Sequence, residues 1–304
     1  MKNKPRNMAD SVSERLRRHA RPGSGGYLLT LKRFAIERLL YRLSKSEARD
    51  QFVLKGAMLF SIWGEQLARP TRDLDLLGSG ASTPEQLSDV FRRICEAPVV
   101  EDGLEFPAKT IRADRILAGE EYVGVRLNLE ALLLRSRIPV QVDVGFGDKI
   151  VPPPTLAAFP TLLDFPAPRI RAYPREAVVA EKLHAMIRHG DKNTRAKDFY
   201  DVHVLSSQFA FEGEMLSRSI EATFRRRSTP FPVVAESAMT RAWYGDSKRE
   251  ELWRAFLRRD DLTGAPSSLE ELGTRVVNFL WPPLSALGSE KVFTAAWQPG
   301  GPWK

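Results

Sequence analysis

The sequence predicts an α+β protein, with strands and helices mixed in its front half and helices alone in its back half. Three observations carry this. Strand-like runs at 51–55, 72–77 and 138–146 are separated by helical spacing, a proline-rich stretch follows at 151–174, and every apolar pattern beyond it repeats at three and four residues. The 304 residues are 43% hydrophobic and 28% charged, enough to bury a sizeable core, which excludes a disordered or collagen-like chain.

The elements follow in order. Residues 1–26 hold seven Lys/Arg before Tyr27 and end in the breaker Pro22-Gly23-Ser24-Gly25-Gly26, which predicts a mobile or peripheral basic arm. Leu28, Leu31, Ala35, Leu39 and Leu43 then mark an amphipathic helix from Tyr27 to Ser44. Gln51 to Lys55 is too short for a helix and reads as a strand broken by Gly56, with a helix from Ala57 to Trp63. Arg72 to Leu77 alternates polar with apolar residues, the period of a half-buried strand. Ser82 or Thr83 with Pro84 and Glu85 starts a helix that buries Leu87, Val90, Phe91 and Ile94. Strands are expected around Lys109–Ile116, Tyr122–Leu132 and Ile138–Phe146.

Pro152, Pro153, Pro154, Pro160, Pro166, Pro168 and Pro174 read as a stiff connection, so the expected domains are 27–150 and 151–304. In the second, Pro174 opens a helix with Val178, Val179, Leu183, Met186 and Ile187 on its apolar face and Gly190 at its end. Asn193 or Thr194 caps the next, through Leu205.

Forty-six Lys plus Arg against thirty-eight Asp plus Glu give a formal charge of +8, which favours polyanionic partners. A single cysteine, Cys95, excludes an internal disulfide and a multi-thiolate zinc site and suits a reducing, cytoplasmic setting. No stretch is long and apolar enough to span a bilayer. The four histidines, at 19, 184, 189 and 203, form no His-Glu-x-x-His pair.

Asp73-Leu74-Asp75 is the most informative piece. On a strand the two carboxylates project from one face while Leu74 and Leu76 face the core, and hard oxygen donors so placed suit Mg²⁺ or Mn²⁺. Two solvated acids at a sheet edge produce the same pattern. Lys55-Gly56-Ala57, where a strand gives way to a helix, offers backbone N–H groups to a phosphate, and an ordinary turn that needs a glycine reads identically. Asp143 is the one acid on the otherwise valine-rich strand Val140–Val144; a strand beside that of Asp73 would bring three carboxylates together. Lys182 lies on the polar side of its helix. Asp198 and Asp201 share a helical face with Arg195 one turn back, which is also the pattern of a solvated ion-pair ladder.

Together, Phe52-Val53-Leu54-Lys55-Gly56-Ala57, Arg69 to Leu76, Val140 to Asp143, Ala180 to Leu183 and Arg195 to Asp201 resemble, in that order, the AbiEii/AbiGii nucleotidyltransferase toxins, the MenT group among them. The resemblance implies a DNA-polymerase-β-like nucleotidyltransferase core with a mixed sheet, followed by a helical domain. It also implies a toxin paired with an AbiEi-type antitoxin, which adds nucleotides, often pyrimidines, from an NTP to the 3′ acceptor end of tRNA and so blocks translation.

By that resemblance Asp73 and Asp75 are the metal pair, with Asp143 as a third carboxylate ligand for Mg²⁺ or Mn²⁺. Lys182 contacts the triphosphate alongside Lys55, Gly56 and Ala57, and Asp198 is the essential acid, orienting Lys182 or accepting the hydroxyl proton. Many members of this superfamily have Gly-Ser in the first motif; here Ala57 follows Gly56, removing one hydroxyl contact to phosphate. The proposed arrangement requires Asp73, Asp75, Lys182 and Asp198 to meet at one pocket.

Arg15, Arg17 and Arg18, with Arg6 and Arg21 in the same segment, and Arg225, Arg226 and Arg227 are candidate phosphate contacts for RNA, or else solvated charge. Two other readings stay open: NMP transfer to a protein hydroxyl, and a non-catalytic nucleotide- or RNA-binding module. A monomer is expected, because no long heptad run is present.

Overall fold

The computed structural model describes residues 7–20, 26–64, 69–80, 82–118, 121–235, 237–262 and 264–304. The chain divides into two compact units, one of residues 1–147 and 155–172, the other of residues 148–154 and 173–304.

The first unit opens with α1 (Met8–His19) and α2 (Gly26–Lys45). Where a basic arm was expected, α1 is capped by Asn7, whose side chain accepts from the Asp10 N–H, and it buries Val12 and Leu16 completely. An apolar pair one turn apart is what turns this basic segment into a packed helix. In α2 the expected stripe is buried from Leu31 through Leu43.

Strand β1 (Phe52–Lys55) leads through a single 3-10 turn, Gly56–Met58, into the five-residue α3 (Leu59–Trp63), and β2 (Asp73–Gly78) returns antiparallel to β1. Helix α4 (Pro84–Cys95) starts on a full capping box between Thr83 and Gln86 and buries Leu87, Val90, Phe91 and Ile94. Then come β3 (Arg112–Ala118), β4 (Glu121–Leu133) and β5 (Ser136–Phe146), an antiparallel meander.

The expected boundary at 150 is corrected here. Within the proline-rich stretch the chain forms β6 (Thr155–Ala158) and β7 (Arg169–Ala172), and β7 pairs parallel with β1. The sheet is therefore mixed and seven-stranded, in the order β3-β4-β5-β2-β1-β7-β6. Buried polar groups of α2 secure the returning segment: Glu37 accepts from the Leu162 N–H at 2.8 Å, and Arg38 donates to the Pro166 carbonyl at 3.1 Å. Arg42 forks Asp102 at 2.7 and 3.1 Å, so the buried charge is paired.

The second unit is helical. It consists of α5 (Arg175–His189), α6 (Ala196–Gln208), α7 (Gly213–Arg226), α8 (Arg241–Tyr244), α9 (Ser247–Asp260) and α10 (Leu269–Gly288), with a small ribbon of β8 (Phe211–Glu212) and β9 (Ala296–Trp297). As the sequence predicts, Pro174 stands at the N-cap of α5 and Gly190 ends it with a positive φ. Helix α10 packs on α6 and α7, with Leu272, Val276, Phe279 and Leu280 buried. Among the described residues no helix is long and apolar enough to cross a membrane.

Candidate active site

Register does most of the work in the first unit. Asp73 and Asp75 alternate with Leu74 and Leu76, which are buried, so both carboxylates stand on the same face of β2. Parallel pairing with β5 sets Asp75 opposite Asp143 and Asp73 opposite Gln141. Lys55 on β1 pairs with Asp75, and Arg126 on β4 pairs with Asp143. Directly paired residues point to the same side of a sheet, so Lys55, Asp75, Asp143 and Arg126 form one transverse row of charges, plus, minus, minus, plus, across four strands.

Gly56 closes this row from the side of β1. Its φ is +72°, and a Cβ there would sit 2.1 Å from Asp75 Oδ2 and 2.8 Å from the Asp75 Cβ and Cγ. The glycine thus serves both a left-handed backbone and the close approach of a carboxylate. Gly56 and Asp75 lie side by side, and the turn that begins at Gly56 is short. The expected helix from Ala57 to Trp63 is a 3-10 turn followed by the five-residue α3, which have little macrodipole, leaving close backbone approach at Gly56 as the contribution of this turn.

Asp143 faces the same way as the other two acids and is engaged on both oxygens. Arg126 Nε donates to Oδ1 and Nη2 to Oδ2, each at 2.8 Å, and Gln141 Nε2 lies 3.3 Å from both. These hydrogen bonds to Asp143, and the charges of Asp143, Asp73 and Asp75, hold the Arg126 guanidinium above its ordinary pKa. Arg126 is the residue that sequence reasoning missed. Its signal was present: along β4 the polar positions 126, 128 and 130 alternate with buried Val125, Leu127, Leu129 and Ala131.

The second unit carries the other cluster. Lys182 Nζ donates to Asp198 Oδ1 at 3.1 Å and to Asp201 Oδ2 at 2.5 Å, and Arg195 Nε reaches Asp198 Oδ2 at 2.5 Å. Asp198 and Asp201 are buried, 2% and 0% exposed, so the solvated ladder is excluded. Burial raises the Asp198 pKa, but Lys182 and Arg195 outweigh it and bring the carboxyl down to about 2. The sequence pointed to Lys182 and Asp198; Asp201 and Arg195 complete the cluster around them.

A family model described as nucleotidyl transferase AbiEii toxin, type IV toxin–antitoxin system, matches residues 38–275. The chain belongs to the AbiEii nucleotidyltransferase toxin family. A search of curated proteins returned no sequence match. Among solved structures the toxin resembles MenT4, a nucleotidyltransferase toxin from Mycobacterium tuberculosis H37Rv, at 18% identity and a TM-score of 0.56, over 90% of this chain and 98% of that one. It also matches JHP933 from Helicobacter pylori at 15% identity and a TM-score of 0.47, over 83% and 90% of the two chains. At these identities the MenT4 likeness speaks to the fold.

The toxin's donor set suits a hard divalent cation, because Asp73 and Asp75 offer carboxylate oxygens from adjacent same-face positions. Among the described residues no group of three or more His, Cys, Asp or Glu side chains stands arranged around one metal position, and Asp143 is paired with Arg126.

The basic residues expected to hold RNA have protein partners. Arg15 pairs with Asp164 at 2.8 Å, Arg18 with Glu14, and Arg225 with Glu221 at 2.6 Å, while Arg17 lies over the Tyr27 ring. Arg227 is the clearest departure. It contacts Asp148 at 3.2 Å, Glu181 at 3.7 Å and His184 Nδ1 at 3.1 Å, an internal cross-link within the second unit. Burial and the Arg227 charge lower the His184 pKa to about 4. Arg226 is exposed, and Arg6 and Arg21 lie outside the described residues.

Proposed function

We propose that this toxin transfers NMP from an NTP, by its resemblance a pyrimidine nucleotide, to the 3′-hydroxyl at the acceptor end of tRNA and so blocks translation in the cytoplasm, under control of an AbiEi-type antitoxin. In this reading the RNA 3′ oxygen forms a bond to the α-phosphorus, the bond to the bridging oxygen of the β-phosphate breaks, and pyrophosphate leaves carrying the electron pair. The hydroxyl proton passes to solvent or to a nearby carboxylate. The observation that carries the proposal is the same-face register of Asp73, Asp75 and Asp143, with Gly56 pressed against Asp75.

Asp73 and Asp75 would hold Mg²⁺ or Mn²⁺, which when bound would draw charge off the phosphate oxygens and lower the pKa of the attacking hydroxyl. The backbone around Gly56 lets the nucleotide's phosphates approach beside Lys55, and Ala57 leaves this approach without the hydroxyl that a serine would add. Lys182 balances charge on the β- and γ-phosphates. Asp198 orients it: a carboxylate held at about 2 between two cations is a poor proton acceptor and a firm anchor.

The test is incubation of the protein with each α-labelled NTP, Mg²⁺ and either total tRNA or total protein. Label in the 3′-terminal nucleotide of tRNA, lost in Asp73→Ala, is the expected result. Label confined to protein, or unchanged transfer by Asp73→Ala, overturns it.

A further inference from the structure

We infer that Arg126 is a built-in counter-cation of the acidic face, which holds Asp143 and must release it before Asp143 can serve as a ligand. The inference rests on the divalent-cation reading above and concerns how that site is loaded.

Three acids on neighbouring positions of two paired strands repel one another, and each needs positive charge nearby. Arg126 supplies it from the strand on the other side of β5, at a position fixed by register. Its planar fork matches the carboxylate in two parallel hydrogen bonds of 2.8 Å, the geometry in which a guanidinium binds best. With Gln141 also close to both oxygens, an incoming cation finds the outward-facing sites of Asp143 taken. The Arg126 side chain is 45% exposed and that of Asp143 21%, so the pair opens toward solvent without unpacking the core beneath. Guanidinium and divalent cation therefore compete for one carboxylate.

The competition is read by Mn²⁺ titration of the full chain, with free ion followed by electron paramagnetic resonance. Arg126→Gln removes a positive charge and frees Asp143, and should bind Mn²⁺ on the order of tenfold more tightly than the unmodified protein. Arg126→Lys keeps the charge without the fork and should fall between the two, which keeps the test open if the Gln variant folds poorly. Adding Asp143→Asn to Arg126→Gln should abolish the gain. Loss of a nearby positive charge alone would also tighten binding, but that gain would survive Asp143→Asn. Mn²⁺ binding that is sensitive to Asp73→Ala but equal or weaker in both Arg126 variants overturns the inference alone, as does a gain that survives Asp143→Asn. If no protein takes up Mn²⁺ in an Asp73-dependent way, the cation reading falls and this inference falls with it.

Discussion

Replacing Gly56 by alanine should separate two costs that usually arrive together. The first is backbone strain: at φ +72° an L-residue loses roughly 1–2 kcal/mol. The second is a collision. The new Cβ would lie 2.1 Å from Asp75 Oδ2, and because the Asp75 Cβ itself is only 2.8 Å away, rotating the carboxylate does not clear the contact. Relief requires β1 and β2 to part locally, an overpacking cost of about 1–3 kcal/mol. Gly80 is the control, since it has φ +87° with nothing within 4 Å of where a Cβ would stand, so Gly80→Ala carries the strain without the collision. In urea denaturation followed by far-ultraviolet circular dichroism, Gly56→Ala should lose about 3 kcal/mol in total and Gly80→Ala only about 1 kcal/mol. Nucleotide transfer by folded Gly56→Ala should fall about 100-fold, the effect of displacing a carboxylate of the proposed metal pair by an ångström, with Gly80→Ala unaffected. Equal stability losses in the two variants, with transfer retained within about twofold, would refute the close approach of Gly56 and Asp75.

Stability should also depend on pH with a definite slope. Burial, with Arg227 for His184 and Arg275 for His203, lowers both histidines from 6.5 to about 4, so their contributions are complete above pH 6.5 and are lost as pH falls toward 4. Burial raises Glu37 from 4.5 to about 7, so its contribution is present below pH 4.5 and lost as pH rises toward 7. Between pH 4.5 and 6.5 unfolding thus takes up two protons and releases one, and stability should fall by about 1.4 kcal/mol per pH unit on acidification; Glu37→Gln should roughly double that slope in urea titrations. Asp198 adds about 2 kcal/mol that is present above pH 3.8 and lost as pH falls toward 2, and Asp198→Asn should remove that acid limb from the melting curve. Lys182→Met leaves two buried carboxylates short of a cation and should cost about 3–5 kcal/mol by chemical denaturation, along with transfer activity. Arg227→Ala should lower the melting temperature while leaving the salt slope of tRNA binding unchanged; a slope smaller by about one would instead make it a phosphate contact.

Local patterning made much of this molecule legible. Alternation at 73–77 and 140–144 marked β2 and β5, the three- and four-residue spacing of α2 and α5 marked those helices, and Thr83-Pro84 marked the start of α4. What stayed hidden was pairing at a distance. Nothing in 155–172 announces that two four-residue strands among prolines complete a sheet begun a hundred residues earlier, because short strands owe their existence to their neighbours. For the same reason the polar face of β4 could be seen but the partner of Arg126 could not, since that depends on which strand lies alongside. Asp198 and Asp201 read as solvated from spacing alone; their burial is a property of helix packing, to which an i,i+3 pattern is blind.

The late arrival of β7 matters for how the polypeptide matures. Until residue 172 has left the ribosome, the free side of β1, carrying Phe52, Val53 and Leu54, has no partner, and an unpaired apolar strand edge invites other chains to dock. A nascent toxin is therefore obliged to pass through an adhesive adolescence before its acidic row is firmly framed, and a fragment ending at residue 150 would be arrested there.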